Sequence, residues 1–263
     1  VYAVYAAIGG GYSNSGSAYA ATIAGGYANA ASGNAFYAAI GGGRSNRASG
    51  YASYAAIGGG YSNSVSTSAA TIAGGYLNTA TSYASYATIG GGSSNRASGS
   101  ASYATIGGGS SNYVSASSTT ISGGYLNSVY AVYAAIGGGY SNSGSAYAAT
   151  IAGGYANAAS GNAFYAAIGG GRSNRASGYA SYAAIGGGYS NSVSTSAATI
   201  AGGYLNTATS YASYATIGGG SSNRASGSAS YATIGGGSSN YVSASSTTIS
   251  GGYLNSVYAV YAA

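Results

Sequence analysis

Residues 6–11 read Ala-Ala-Ile-Gly-Gly-Gly, and variants of this hexapeptide occur sixteen times along the chain. Successive isoleucines in these hexapeptides are always 15 or 17 residues apart. A short fixed period of this kind is typical of solenoids, in which each repeat packs only on its neighbours. The isoleucines that mark the repeats are Ile8, Ile23, Ile40, Ile57, Ile72, Ile89, Ile106, Ile121, Ile136, Ile151, Ile168, Ile185, Ile200, Ile217, Ile234 and Ile249.

A longer period is superimposed on the short one. Residues 129–256 repeat residues 1–128 letter for letter, and residues 257–263 begin a third copy. No proline-rich or charged linker separates the copies, so the sequence predicts one continuous β-solenoid over residues 1–263. Solenoids usually close their ends with atypical repeats. We therefore expect either a longer array or ends that neighbouring molecules cover.

The side-chain pattern around each isoleucine predicts a short strand. If the isoleucine is position 0 of its coil, position −2 is alanine in seven of the first eight coils and Thr119 in the other. Alternation of this kind in a segment rich in Ile, Thr and Tyr favours a strand whose positions −2 and 0 face inward. Position −3 should then face outward.

A glycine pair at positions +2 and +3 follows every isoleucine, as at Gly10 and Gly11. Such a pair predicts a corner that needs a positive φ or a close approach of two backbones. A second short strand should follow and end in a small apolar residue at position +8, such as Ala31 or Val65. The predicted fold class is all-β: a parallel β-solenoid, or β-roll, of about sixteen 15- or 17-residue coils with two short strands per coil.

The difference between the two coil lengths is assigned to the turn after the second strand. The longer coils insert a turn such as Ser49-Gly50 or Ser98-Gly99 there. Because the insertion is two residues, it preserves which side chains point inward and which outward.

Asparagine occupies position +6 in every coil. Stacked amides can bond to the copies above and below, so we predict a structural ladder; a row that binds a polar ligand is the alternative. The ladder of the first repeat comprises Asn14, Asn29, Asn46, Asn63, Asn78, Asn95, Asn112 and Asn127.

Two files of tyrosines are predicted along the outside, one at position −3 and one at position +4. A long apolar stripe on a surface with almost no charge is typical of an interface. Arg44 shares position +4 with Tyr27 and Tyr61 in the adjoining coils, which predicts a cation–π contact with both rings. The candidate interface comprises Tyr5, Tyr37, Tyr54, Tyr86 and Tyr103 at position −3, and Tyr12, Tyr27, Tyr61, Tyr76 and Tyr125 at position +4.

The composition argues against most chemistry. The chain has six arginines and no Lys, Asp, Glu, His or Cys, so it lacks the usual acid–base groups, activated nucleophiles and metal ligands. We predict that it is not an enzyme, has no catalytic or metal site and uses no cofactor. The arginines are too sparse to follow a nucleic acid backbone. No apolar run reaches the ~20 residues of a membrane-spanning helix.

The sequence resembles a known family in two segments. Residues 103–109 read Tyr-Ala-Thr-Ile-Gly-Gly-Gly, and residues 96–103 read Arg-Ala-Ser-Gly-Ser-Ala-Ser-Tyr. They resemble the YadA-like head repeats of bacterial trimeric autotransporter adhesins, which share the Ala-x-Ile-Gly strand end and the Ala-Ser-Gly turn. The resemblance implies a left-handed β-roll, trimers and an extracellular or cell-surface location on a bacterium, in contact with host surfaces.

The primary functional hypothesis is a structural subunit of an extracellular fibre or surface appendage, with adhesion as a further expected role. Its expected partner is itself, as a homo-oligomer or filament with lateral or end-to-end contacts; host or abiotic surfaces and polysaccharide are further candidates. One alternative is a carbohydrate- or surface-binding module that uses the tyrosine and arginine rows. An ice-binding solenoid is less favoured, because Ala7, Ala39 and Ala56 interrupt its threonine row at position −1. A silk-like sheet would have a far shorter repeat.

Overall fold

The structure is a computed structural model that describes residues 4–258. The described residues contain two-residue β-strands and turns and no helix. Each strand is only two residues long because the chain turns away from the sheet on both sides of it. The predicted all-β class is therefore confirmed.

The chain divides into two compact units, Val1–Val129 and Tyr130–Ala263. The division falls next to the end of the first 128-residue repeat. Within residues 4–258, each unit contains sixteen strands, two for each coil. A single continuous solenoid over residues 1–263 stays a prediction, and residues 1–3 and 259–263 lie outside the described part.

In the first unit, the first strand of each coil joins one parallel sheet and the second strand joins another. The first sheet contains β1 (Ala7–Ile8), β3 (Thr22–Ile23), β5 (Ala39–Ile40), β7 (Ala56–Ile57), β9 (Thr71–Ile72), β11 (Thr88–Ile89), β13 (Thr105–Ile106) and β15 (Thr120–Ile121). The second contains β2 (Ser15–Gly16), β4 (Ala30–Ala31), β6 (Arg47–Ala48), β8 (Ser64–Val65), β10 (Thr79–Ala80), β12 (Arg96–Ala97), β14 (Tyr113–Val114) and β16 (Ser128–Val129).

The second unit repeats this arrangement with two further sets of parallel strands. One set contains β17 (Ala135–Ile136), β19 (Thr150–Ile151), β21 (Ala167–Ile168), β23 (Ala184–Ile185), β25 (Thr199–Ile200), β27 (Thr216–Ile217), β29 (Thr233–Ile234) and β31 (Thr248–Ile249). The other contains β18 (Ser143–Gly144), β20 (Ala158–Ala159), β22 (Arg175–Ala176), β24 (Ser192–Val193), β26 (Thr207–Ala208), β28 (Arg224–Ala225), β30 (Tyr241–Val242) and β32 (Ser256–Val257).

The coils stack in register, so equivalent positions lie above one another. Ile40 pairs with Ile57 in the first sheet, and Ala48 pairs with Val65 in the second. Parallel pairing sets neighbouring coils ~4.8 Å apart. The predicted parallel β-solenoid with two short strands per coil is thus confirmed, whereas the left-handed coil stays a prediction.

The core consists of columns of small side chains around one column of isoleucines. Ile57, Ala55 and Val65, at positions 0, −2 and +8, are all fully buried, as the alternation predicts. A further inward column at position −5, which the sequence analysis missed, contains Ala52 and its equivalents. The exception is the first coil, where Ile8 has no described coil on its outer side and is 44% exposed.

The segment after each isoleucine, positions +1 to +6, is called the glycine corner. Its glycine at +3 has a φ between 82° and 97°, which confirms the predicted positive φ. Position +4 forms a third ladder of single β-bridges that the sequence analysis did not predict, for example from Tyr27 to Arg44 and on to Tyr61. Each coil therefore pairs with its neighbours at three places.

Two residues in every coil adopt a left-handed conformation without being glycine. They lie at positions −3 and +5, as at Tyr54 and Ser62, with φ between 51° and 64°. Such a residue costs roughly 1–2 kcal/mol. The conformation turns its N–H toward the preceding coil, where Tyr54 donates to the carbonyl of Phe36 at 2.8 Å and Ser62 to that of Arg44 at 2.9 Å. The predicted outward direction of position −3 is therefore right, but it belongs to a turn and not to a strand.

The segment between the second strand and the next first strand is called the return turn. It has seven residues in the longer coils, as at 49–55, and five in the shorter, as at 66–70. The longer turn places Gly50 in the left-handed region at φ 66°, and Ser82 takes the same conformation in its own coil at φ 58°. Both lengths return the chain to the same register, which confirms that the two-residue difference is absorbed here.

Candidate functional site

The asparagine ladder is built from contacts between side chain and backbone. Asn63 Nδ2 donates to the carbonyl of Gly59 in its own coil at 2.8 Å and to that of Gly75 in the next coil at 2.9 Å. Its Oδ1 accepts the backbone N–H of Asn78 at 3.0 Å. Each amide therefore joins two coils. It gives the carbonyl of Gly59 its donor and gives the carbonyl of Gly75 a second donor besides the N–H of Tyr61, as buried backbone groups require.

The ladder confirms the structural prediction with one correction. We expected amides bonded mainly to each other, but direct contacts from Nδ2 to Oδ1 occur in only some coils, as between Asn63 and Asn46 at 3.2 Å. The same backbone bonding extends along the ladder; Asn14, at its start, is half-buried, whereas Asn29, Asn46, Asn63, Asn78, Asn95, Asn112 and Asn127 are buried. No buried side-chain nitrogen or oxygen within residues 4–258 lacks a partner. The side-chain amides are therefore occupied by hydrogen bonds within the protein, which argues against a row of asparagines that binds a ligand.

Glycine at +3 is required by the same contacts. A Cβ on Gly60 would overlap the carbonyl oxygen of Gly75, and it would lie 2.7 Å from Asn63 Nδ2. The glycine corner therefore combines a positive φ with close contact between coils, and both of the physical reasons that the sequence suggested apply at once.

The tyrosine file at position −3 consists of stacked pairs. Tyr37 and Tyr54 have ring centroids 5.2 Å apart and planes within 6°, and Tyr86 and Tyr103 are 5.0 Å apart within 2°. The stacking does not run along the whole file, because Ala20, Ala69 and Ser118 occupy the same position in other coils. Tyr5 instead meets Tyr19 edge to face at 5.8 Å. All five predicted tyrosines are exposed.

The file at position +4 follows the same rule. Tyr12 stacks on Tyr27 at 5.2 Å, and Tyr61 stacks on Tyr76 at 5.4 Å. Tyr125 occupies the same position beyond Ser93 and Ser110, and all five tyrosines of this file are exposed. Stacked pairs hold the rings rigidly, so each pair presents a flat apolar face at a low cost in conformational entropy.

Arg44 lies between the two pairs of the +4 file. Its guanidinium carbon is 5.1 Å from the ring centroid of Tyr27 and 5.5 Å from that of Tyr61. Arg172 occupies the same place in the second unit, 5.0 Å from Tyr155 and 5.4 Å from Tyr189. Cation–π contact contributes ~0.5–1 kcal/mol at an exposed site, and it gives the guanidinium a partner in a chain without carboxylate side chains.

A second arginine contact was missed. The guanidinium carbon of Arg96 is 6.0 Å from the ring centroid of Tyr113, and its Nε donates to Ser98 Oγ at 3.1 Å. The register of the second sheet contained the signal, because Arg96 and Tyr113 both occupy position +7 of their coils and pair in it.

The sequence was also compared with known proteins. No protein-family model and no curated protein matches this chain. No helical segment in the described part has the length and hydropathy that crossing a bilayer requires. The fold itself fits a repetitive structural or surface protein.

Proposed function

We propose that the chain is a structural, self-associating subunit of an extracellular fibre or surface appendage. The observation that carries the proposal is the pair of exposed tyrosine files, whose rings are held in stacks with no acidic side chain beside them. Tyrosine is enriched where protein interfaces are buried. Copies that pack file against file would bury these rings and exclude water from them.

The thin interior supports the same proposal. Its largest buried side chain is one isoleucine per coil, and the other inward columns are mostly alanine. A fully buried isoleucine contributes ~1.5–3 kcal/mol, whereas an alanine contributes far less. Association would add the apolar burial that such a core lacks. The lack of Asp, Glu, His, Lys and Cys supports a role without catalysis, metal or cofactor.

The extracellular, bacterial location and the trimeric state rest on the resemblance to YadA-like head repeats. Adhesion to host or abiotic surfaces is part of the same proposal, since exposed aromatic rings also suit contact with a foreign surface. Sedimentation and electron microscopy of the whole chain at micromolar concentration test self-association. We expect oligomers or filaments, and a well-behaved monomer would refute the proposal.

Two matched sets of substitutions show which file forms the contact. The first set replaces tyrosine by serine, which the chain itself has at position −3 in Ser118 and at position +4 in Ser93, in the +4 file at Tyr12, Tyr27, Tyr61, Tyr76, Tyr140, Tyr155, Tyr189 and Tyr204. The second makes the same change in the −3 file at Tyr37, Tyr54, Tyr86, Tyr103, Tyr165, Tyr182, Tyr214 and Tyr231. We expect one set to yield monomers that retain the circular dichroism of the parent; assembly that survives both sets would contradict a tyrosine interface.

A further inference from the structure

A groove opens over the short return turn of residues 66–70 in the first unit. This turn has two residues fewer than the turns of the coils on either side, so it is recessed between them. The groove has a volume of about 530 Å³, within the ~300–1,000 Å³ range of small-molecule sites. Its walls and floor include Tyr51, Tyr83, Ser66, Thr67, Ser68 and Ser85.

The second unit has the same groove over its own short return turn, with a volume of about 410 Å³. The repeated sequence thus produces the same feature in both units. The corresponding residues are Tyr179, Tyr211, Ser194, Thr195, Ser196 and Ser213.

The two walls are tyrosines without a ring partner. Tyr51 is 76% exposed and Tyr83 is 81% exposed; neither belongs to a stacked pair of the kind seen in the two files. In the second unit Tyr179 is 75% exposed and Tyr211 82%. Both wall residues occupy position −6, where the short coil between them has Ser66. The walls are therefore two coil steps apart, or about 9.5 Å.

The floor consists of hydroxyl groups. Thr67 Oγ1 and Ser85 Oγ lie 3.2 Å apart, and Ser68 Oγ donates to the carbonyl of Ser53 at 3.3 Å. A hydroxyl has one donor and two acceptor sites. Thr67 is only 3% exposed, so the sites that a ligand can reach belong chiefly to the hydroxyls of Ser66, Ser68 and Ser85.

The groove has no charged side chain. Its lining is tyrosine, serine, threonine and glycine, so it offers nothing that would select an anion or a cation. A flat ring that touched both walls would hold them about 7–8 Å apart, given carbon contacts of 3.5–4.0 Å. A puckered ring is thicker, and it matches the two-coil spacing better.

We propose that each groove binds one neutral pyranose unit of a polysaccharide, between Tyr51 and Tyr83 in the first unit and between Tyr179 and Tyr211 in the second. The faces of an aromatic ring are negative, so they attract the positively polarised C–H groups of a sugar face. The sugar hydroxyls exchange hydrogen bonds with the serine and threonine floor. One site in each 128-residue repeat would give a long polysaccharide chain several points of attachment.

The test uses the whole chain and three neutral probes: cellohexaose, maltohexaose and the hexamer of N-acetylglucosamine. Binding is measured by calorimetry and by tyrosine fluorescence, since the chain has no tryptophan. We expect at least one probe to bind saturably at millimolar concentration or below. Serine at Tyr51, Tyr83, Tyr179 and Tyr211 together should weaken binding by a factor of at least about ten, which is ~1.4 kcal/mol.

Two further proteins keep the test specific. Tyr130→Ser with Tyr258→Ser removes exposed tyrosines that line neither groove and should leave the affinity unchanged. Ser66→Tyr with Ser194→Tyr fills each groove while retaining every aromatic wall, and it should abolish binding.

The proposal is overturned if no probe binds the parent chain, if binding survives both groove variants, or if the control variant loses as much affinity as they do. Loss of self-association in the groove variants without any sugar binding would instead show that a second copy occupies the groove. Sedimentation of the same samples separates the two proposals. A monomer that binds the probes would refute the proposed fibre and would support sugar binding in the groove.

Discussion

The glycine corner and the return turn differ in how much they vary from coil to coil. The corner has the same length, the same glycines and the same asparagine in every coil, whereas the return turn has five or seven residues and a variable sequence. The corner is constant because its carbonyls at positions +2 and +3 accept hydrogen bonds from asparagine and a Cβ on Gly60 would overlap the next coil. The return turn contributes two buried positions to the core, as at Ala52 and Ala55, and its other residues are free to change. Variation in length is therefore confined to one side of each coil, where the grooves form.

The largest expected effect comes from a methyl group added at each of the two turns. Gly60→Ala should prevent the stacking of adjoining coils and destabilise the fold by more than ~4 kcal/mol, a value reserved for severe steric conflict. The matched change Gly50→Ala, in the return turn, meets no atom closer than 3.8 Å and should cost only the left-handed strain of ~1–2 kcal/mol. Chemical denaturation followed by circular dichroism measures both. Equal losses would show that the corner is not the more constrained turn.

Removal of one ladder amide is the next largest effect. Asn63→Ala leaves the carbonyl of Gly59 and the N–H of Asn78 without their partner, and each unsatisfied group costs ~1–3 kcal/mol. The carbonyl of Gly75 loses one of its two donors and keeps the N–H of Tyr61. We expect a loss of at least ~2 kcal/mol and rapid hydrogen exchange at the amide of Asn78. Asn34→Ala is the control, because Asn34 lies exposed in a return turn and should change stability by less than ~0.5 kcal/mol. A similar small change at Asn63 would refute the structural role of the ladder.

The smallest effect concerns pH. No side chain of this composition titrates between about pH 4 and pH 9, so we expect fold and assembly to be unchanged over that range. In the return turn of the second unit, burial raises the pKa of Tyr147 above its usual value of 10.0, and its neighbours Tyr165 and Tyr133 add to the increase. Because the folded pKa is above the unfolded one, the stabilisation is complete below pH ~10 and is lost as pH rises through the raised pKa.

Spectrophotometric titration at the phenolate band measures that difference. Tyr147→Phe should remove a late-titrating component and make the alkaline transition shallower, whereas Tyr179→Phe, at an exposed residue of another return turn, should leave it unchanged. Loss of assembly near pH 5, where no side chain titrates, would contradict a charge-free, tyrosine-sealed assembly.

The invariant positions were the predictable ones. Glycine at +3 and asparagine at +6 recur without exception. A residue type that is the same in every coil indicates that the backbone conformation there is the same in every coil. Register alone placed Arg44 next to Tyr27 and Tyr61, because equal positions in stacked coils are neighbours. The fold class follows from the same periodicity.

Some features could not be predicted because the residue type does not indicate the backbone conformation that it adopts. Tyr54, Ala28 and Leu77 adopt a left-handed φ in which such side chains are uncommon, and only the bonds between coils select it. The buried column at position −5 was hidden because it lies three residues before position −2, and the alternation of a strand does not predict two inward positions at that spacing. The groove depends on the contrast between three successive turns, a property that no single coil contains.

The asparagine ladder also affects how fast the protein degrades chemically. Spontaneous deamidation of an asparagine requires its side-chain carbonyl carbon to be attacked by the backbone nitrogen of the next residue, which demands a free amide and a flexible chain. Asn63 and its equivalents, apart from half-buried Asn14 and exposed Asn255 at the two ends of the ladder, are buried. In Asn63, Nδ2 and Oδ1 are both bound. The sequence also contains no methionine, cysteine or tryptophan to oxidise. Asn34 and Asn162 are the exposed asparagines of the return turns. Chemical damage should therefore begin there and leave the stacking of the coils intact long after those two amides have been lost.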